Sequence, residues 1–335
     1  MKKKLLTALQ YLLFLGLGLF LVWWSIDKMS EEDLRECKEA LVSARYVLIF
    51  PVFIIISASH VSRAMRWRLL MKPMGYNPGL LNTFFAVMVG YLANLAFPRL
   101  GEVLKCTILA RYEKVPADKL VGTILVERVV DVLCLLVVFA ITIFTQYDLI
   151  GQFAKETIRE NFLAGGIKAL LIKIGILVTV LVMLYFLARY IFRRFSHNGF
   201  ILRIKSMFEG VKAGLTSVGK MKDKWAFIFH SVFIWCCYVG GTYLGFLATA
   251  GTDHLPFMVA FPVLAFASIG MIITPGGIGA YPKFVQSVLV LYGVNKGIAY
   301  ANGTLQWMAQ CVIILVVGFV CLALMPYFNK KKKEV

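Results

Sequence analysis

Long apolar runs separated by short polar loops fill this chain, and their lengths set the first expectations. Six runs reach the ~20 residues that a membrane-spanning helix needs: about 5–24, 46–64, 120–144, 167–188, 225–249 and 306–326. Two more are apolar but broken. Residues 80–110 are interrupted by Asn94-Leu95-Ala96-Phe97-Pro98-Arg99-Leu100-Gly101-Glu102, and residues 256–292 by Thr274-Pro275-Gly276-Gly277-Ile278-Gly279-Ala280-Tyr281-Pro282. Proline removes a backbone donor and glycine weakens a helix, so both breaks leave peptide groups that hydrocarbon cannot satisfy. Each is therefore expected to be a re-entrant helix–turn–helix hairpin, buried in protein or facing a wet cavity.

Loop charge orients these elements through the excess of Lys and Arg on the cytoplasmic side. Lys2 to Lys4, then Arg63, Arg66, Arg68 and Lys72, then Arg99 to Lys119, Arg189 to Lys224 and Lys330 to Lys333 all fall on one side. The acidic stretch from Asp27 to Arg45 and the loop from Gln146 to Gly165 fall on the other. The resulting order is span, span, hairpin, span, given twice with opposite orientation, so residues 1–150 and 151–335 are expected to be inverted repeats. Both termini are then cytoplasmic. Between the halves, Ile201, Ile204, Phe208, Val211, Leu215 and Val218 recur at helical spacing among Arg203, Lys205, Lys212 and Lys220, which predicts an amphipathic interfacial helix over about 200–222.

Composition removes other classes. With 60% hydrophobic and 16% charged residues and a mean hydropathy of +0.78, the chain lacks the polar surface of a soluble globule. Unbroken rather than alternating apolar runs exclude a β-barrel, so the fold class is all-α, a polytopic helical membrane bundle. The net charge of +18 is explained by orientation rather than by nucleic acid, because the basic residues cluster beside apolar segments. The run after Lys4 is too long for a cleaved signal and ends in Trp23-Trp24 without a small-residue cleavage site, so a retained first helix is expected.

Ionisable groups inside apolar segments are costly and mark candidate sites. The densest set is Glu127, Arg128 and Asp131, with Glu127 and Asp131 on one helix face. Arg99 and Glu102, in the first hairpin's turn, are their expected partners: Glu102 facing Arg128, and Arg99 facing a carboxylate. The helices restarting after Pro98 and after Pro275 would each present free N–H groups to an anion. Gly276, Gly277 and Gly279 permit close approach, and Arg99, Arg128 and Lys283 could supply counter-charge. The set reads either as the lining of a polar cavity or as a salt-bridge network that pins the hairpin. No His, Cys or carboxylate spacing suggests a metal, no nucleotide loop is present, and no cofactor or catalysis is expected.

The two hairpin motifs and Glu127-Arg128-Val129-Val130-Asp131, in this order, resemble the lysylphosphatidylglycerol synthase transmembrane region family of flippase-like proteins. The resemblance covers nearly the whole chain. It implies movement of a modified phospholipid between leaflets, which in that family accompanies a soluble aminoacyl-transferase domain. This chain stops at Val335 straight after the last span, so transfer is not expected; Pro282-Lys283 also follow Tyr281 where the family pattern carries an acidic residue. Some similar proteins accompany polyprenyl-phosphate sugar or glycolipid pathways.

The function expected is a lipid translocase of the cytoplasmic (inner) membrane that passes an anionic or modified headgroup of a phospholipid or glycolipid through a midplane cavity. A small-solute or ion-coupled transporter and a non-transporting scaffold of an envelope-lipid pathway are the alternatives. Membrane lipid and the anionic cytoplasmic leaflet are the expected partners, with a second copy or a lipid-modifying enzyme as further ones, and no nucleic acid.

Overall fold

A computed structural model describes residues 16, 18–97, 100–147 and 221–334. The expected span at 167–188 lies outside these residues, as do nearly all of the amphipathic helix and most of the first span. Among the described residues the chain is helical throughout, in ten helices: α1 (Gly18–Asp27), α2 (Glu31–Val42), α3 (Ile49–Met71), α4 (Leu80–Ala96), α5 (Leu100–Glu113), α6 (Ala117–Thr145), α7 (Lys224–Ala248), α8 (Ala260–Ile273), α9 (Ala280–Leu291) and α10 (Lys296–Glu334).

Prolines and caps punctuate this order. Pro51 sits in the first turn of α3, where no intrahelical donor is needed, and Pro116 precedes α6. Helix α4 stops one residue before the Phe97-Pro98 step, whose geometry disfavours helix. Helix α2 opens on a capping box in which the Ser30 hydroxyl accepts the Asp33 N–H at 3.1 Å while the Asp33 carboxylate accepts the Ser30 N–H at 3.2 Å.

Length separates two kinds of helix. The stretches Tyr46–Met74, Lys224–Ala248 and Lys296–Lys330 are long and apolar enough to cross a bilayer. Helices α4, α5, α8 and α9 have 17, 14, 14 and 12 residues. At ~1.5 Å per residue none matches a ~30 Å hydrocarbon core alone. They pack instead as two antiparallel pairs, α4 with α5 and α8 with α9. The first pair is very close, because a Cβ at Gly101 would collide with the Gly90 carbonyl; the Gly101 N–H donates to Asn94 Oδ1 at 2.8 Å.

Contacts with α10 show that the pairs enter from opposite ends. At one end Asn82 of α4 and Asn329 of α10 exchange side-chain hydrogen bonds of 2.8 and 2.9 Å, and Asn82 also donates to Glu113 at the foot of α5. At the other end Gln286 of α9 donates to the Lys296 carbonyl at 3.0 Å, and Gly297 lies against the Asp33 backbone of α2. The tips meet midway: Gly276 leaves room for Leu95, where a Cβ would lie 3.3 Å from Leu95 Cδ2, and its carbonyl accepts the Trp307 indole N–H at 2.7 Å. Elements of both expected repeats interpack, with α7 on α3 and α10 on both α2 and α4.

Two apolar cores hold the bundle. One gathers Trp67, Met71, Met88, Leu109, Leu120 and Phe227; the other gathers Phe246, Val263, Val285 and Leu289 around the second hairpin. Apolar residues also lie outside, including Ile54, Val121, Leu136, Phe229, Val316 and Phe319, as expected where the surrounding solvent is lipid. The chain is thus a multi-pass helical membrane protein. One boundary differs from expectation with consequence: α3 runs to Met71, so Arg63 and Arg66 are within the bundle and not in a loop. The apolar face continues through Trp67, Leu69, Leu70 and Met71, all buried, and this carries the helix past its charges.

Candidate functional site

Charged side chains from α3, α5 and α6 converge beside the first hairpin. Asp131 accepts hydrogen bonds from Arg63 Nη1 and Arg66 Nη2, both at 2.7 Å. Arg63 also donates to the Tyr238 hydroxyl at 3.1 Å, and Arg66 to Ser231 Oγ at 3.4 Å, tying both arginines to α7. One turn below Asp131 on α6, Glu127 accepts Lys105 Nζ at 2.5 Å; its other oxygen lies 3.8 Å from Arg66, within ion-pair range but too far for a hydrogen bond. Lys105 rests 4.3 Å above the Trp67 ring, and the Trp67 indole donates to Thr123 Oγ1 at 2.8 Å, fixing the platform to α6.

Burial grades this cluster. Arg66 is fully buried and Glu127 is 3% exposed, whereas the Arg128 and Glu102 side chains, paired at 2.8 Å, remain 52% and 33% exposed. Glu102 and Arg128 therefore form a rim and the deeper pairs an interior. Between them lies a small cavity, partly open to the outside. It is lined by Arg63, Glu102, Lys105, Glu127, Arg128 and Asp131, and by Tyr91, Asn94, Gly90 and Gly101 of the hairpin. Glycines 90 and 101 contribute backbone where side chains would fill the space.

The inner wall carries further unsatisfied polarity. Among the described residues, the Nε atoms of Arg63 and Arg66 and Oε1 of Glu127 are buried without a hydrogen-bond partner, as are both ring nitrogens of His60. The His60 ring lies tilted against Tyr91 with ring centroids 5.1 Å apart, and the Arg63 guanidinium lies 6.0 Å from the same ring. Buried donors left open in this way cost free energy that a bound polar group would recover.

Against the sequence expectations, Glu102, Glu127, Arg128 and Asp131 stand together, and Glu102 faces Arg128. Arg99 lies outside the described residues; the partners of the carboxylates are Arg63, Arg66 and Lys105. All three had been counted among the cytoplasmic charges, whereas Arg63 and Arg66 are deep in α3 and Lys105 turns inward from α5. The signal that could have found them is the unbroken apolar periodicity after Arg66 and the i,i+3 spacing of Glu102 and Lys105 on one face.

The second hairpin's turn is elsewhere. Pro275, Gly276, Gly277 and Gly279 form a tight turn in which all three glycines have positive φ, 59°, 77° and 70°. Three of its N–H groups are spent internally: Gly277 donates to Thr274 O, Ile278 to Pro275 O and Ala280 to Ile278 O. Gly279 meets the Gly18 backbone of α1, and a Cβ at Gly277 would meet Met271. Lys283 faces the Trp24 ring at 5.0 Å and bonds Gln286 at 2.8 Å. None of these five residues lines the cavity, and three of the donors at this turn are already taken within it. Close helix packing accounts for the glycines.

Sequence comparison adds a family to this geometry. Residues 9–329 match the family model described as the lysylphosphatidylglycerol synthase TM region. A UPF0104 membrane protein of Methanocaldococcus jannaschii is 21% identical, over 98% of this chain and 97% of its own length. No solved structure gives a significant match. With a model match spanning almost the whole chain, and the broken-helix hairpin and charged α6 falling inside it, the protein belongs to the lysylphosphatidylglycerol synthase transmembrane region family.

Proposed function

We propose that the protein is a lipid translocase of the cytoplasmic membrane, without enzymatic activity, which admits a lipid headgroup to the cavity between α3, α5 and α6 while the acyl chains stay in the bilayer. One observation carries this reading: a graded set of charges within a membrane bundle, fully buried at Arg66 and Glu127 but half-open at Arg128 and Glu102, around a cavity walled by a re-entrant hairpin. Charges in hydrocarbon are expensive, and a cluster that opens to the outside on one flank is suited to a polar group arriving from the side. Exposed Leu100 and Val103 flank Glu102, and Val132 follows Arg128 by one turn, so the rim is set in an apolar surface that lipid tails can cover. The opposed hairpins with touching tips support alternating access from the two leaflets, as in inverted-repeat transporters. In this reading the basic inner ends face the cytoplasm and its anionic leaflet, and both termini are cytoplasmic.

The test is leaflet exchange in proteoliposomes carrying fluorescent phospholipids whose outer-leaflet signal is quenched chemically. Wild type should accelerate exchange above empty liposomes, and Arg128→Ala should reduce it at least tenfold. Equal rates for wild type and empty liposomes across several headgroups would overturn the proposal. The complete pairing of Asp131 by two arginines favours a second reading, a non-transporting scaffold whose charges only fix the hairpin. That reading predicts no exchange by wild type and a loss of stability in the variants.

A further inference from the structure

Helix α3 carries a run of open polar atoms that the cavity uses only in part. Among the described residues, Ser57 Oγ, both ring nitrogens of His60 and the Nε atoms of Arg63 and Arg66 are buried without a hydrogen-bond partner. These four residues follow at intervals of three, so successive side chains lie about one turn apart and the run rises about 14 Å along the helix. Arg63 lines the cavity, and Arg66 is paired with Asp131 and Glu127. His60 is only 3% exposed; it lies against the Tyr91 ring, which lines the cavity, without lining the cavity itself. The imidazole is therefore one ring behind the wall.

Helix α4 shows where this run leads. It is antiparallel to α3: Arg68 bonds the Pro78 carbonyl just before α4 begins, and His60 meets Tyr91 further along it. Leu95, one turn beyond Tyr91, adjoins Gly276 where the hairpin tips meet, and Ser57 is one turn beyond His60 in the same direction. Open polar atoms thus continue from the cavity to the level of the tips. The charged side chains that line the cavity balance, Arg63, Lys105 and Arg128 against Glu102, Glu127 and Asp131, so selectivity further in has to come from hydrogen bonding. A buried imidazole with both nitrogens open costs free energy that an apolar side chain of similar size would avoid. In its uncharged form it offers one donor and one acceptor, and the Ser57 hydroxyl offers both, which is the pattern that a ligand hydroxyl satisfies.

We infer that the polar route continues behind Tyr91, and that His60 with Ser57 forms a binding site for an uncharged, hydroxyl-bearing group, a polyol or sugar, reached when the Tyr91 ring turns aside. The inference rests on the proposed function for the lipid source of those hydroxyls but not for the site itself. The same chemistry is offered by a lipid headgroup and by a free, water-soluble polyol phosphodiester.

Charge-matched lipids isolate the hydroxyl groups. The full-length protein in phosphatidylcholine nanodiscs is titrated with short-chain phosphatidylglycerol, phosphatidylinositol and phosphatidylpropanol, which share one charge and differ in hydroxyls, and with water-soluble glycerophosphoglycerol. Isotope-labelled histidine lets the His60 ring be followed by NMR, its signal identified by its loss in His60→Gln. Wild type should bind phosphatidylglycerol or phosphatidylinositol at least tenfold tighter than phosphatidylpropanol, and only the hydroxyl-bearing lipids should shift the His60 signal. His60→Phe, which keeps a ring but no polar atom, should bring the three lipids within threefold of one another, whereas His60→Gln, which keeps a donor and an acceptor, should retain most of the preference. Because neither ring nitrogen has a partner among the described residues, His60→Phe should resist SDS unfolding at least as well as wild type. Loss of stability in His60→Phe with the lipid preference intact would assign the residue to packing and overturn the site. Equal affinity for the three lipids in wild type, or a His60 signal that none of them shifts, would also overturn it, while translocation stays to be judged by leaflet exchange. Glycerophosphoglycerol that binds as tightly as phosphatidylglycerol and shifts the same signal would uphold the site and overturn the lipid source assumed in the proposed function.

Discussion

Asp131→Asn separates the buried part of the charge cluster from its rim. The substitution keeps the side chain's size and one acceptor oxygen, but it removes the charge that two guanidinium groups share at 2.7 Å. At a charge separation of ~4 Å and an effective dielectric of ~20, each attraction is worth about 4 kcal/mol before desolvation. Desolvation already spent in burying Arg66 is not returned when its partner is neutralised, so removing one member of such a pair costs about 3–5 kcal/mol. Arg128→Gln is the internal comparison. Its pair with Glu102 has a similar length, 2.8 Å, but half of the Arg128 side chain is exposed, and a pair at a wet rim contributes about 1 kcal/mol or less. Unfolding in mixed micelles by increasing mole fraction of SDS, read by tryptophan fluorescence, measures both. The reasoning is refuted if Asp131→Asn destabilises no more than Arg128→Gln, since water would then reach Arg63 and Arg66 as freely as it reaches the rim.

Other consequences can be checked in the same preparation. Gly101→Ala should cost about 1–3 kcal/mol through overpacking against the Gly90 carbonyl, whereas Gly122→Ala, with open space around it, should be close to neutral in the same SDS titration. Trp67→Phe keeps a ring beneath Lys105 but removes the donor to Thr123, and should lower stability by about 1 kcal/mol while weakening leaflet exchange. For orientation, Ser43→Cys in a cysteine-free background should react with an impermeant maleimide from outside intact cells and Lys119→Cys only after permeabilisation; the reverse pattern would overturn the assigned topology.

Much of the architecture follows from local chemistry that a single chain displays. Pro98 and Pro275 inside apolar runs cannot be continued as ordinary spanning helix, and both runs fold as short antiparallel pairs. Glu102 and Arg128 could be matched because Glu102 is the acidic residue of the hairpin's turn and Arg128 the one cation in the Glu127 to Asp131 set. Arg63, Arg66 and Lys105 escaped because a charge at the end of an apolar run looks the same whether it reaches water or a buried carboxylate; only the neighbouring helices decide, and those contacts are long-range. The glycine turn is ambiguous in sequence for a related reason. A bare backbone permits approach by a ligand or by another helix, and at Gly279 the approaching group is Gly18 of α1.

The joint between Gly276, Leu95 and Trp307 makes the two hairpins mechanically dependent. Neither tip can retract without breaking the indole-to-carbonyl bond or opening a void beside Leu95. Under the proposed translocase reading, a headgroup that displaces the first hairpin would push on a lever whose far arm reaches the opposite face, coupling opening on one side to closing on the other.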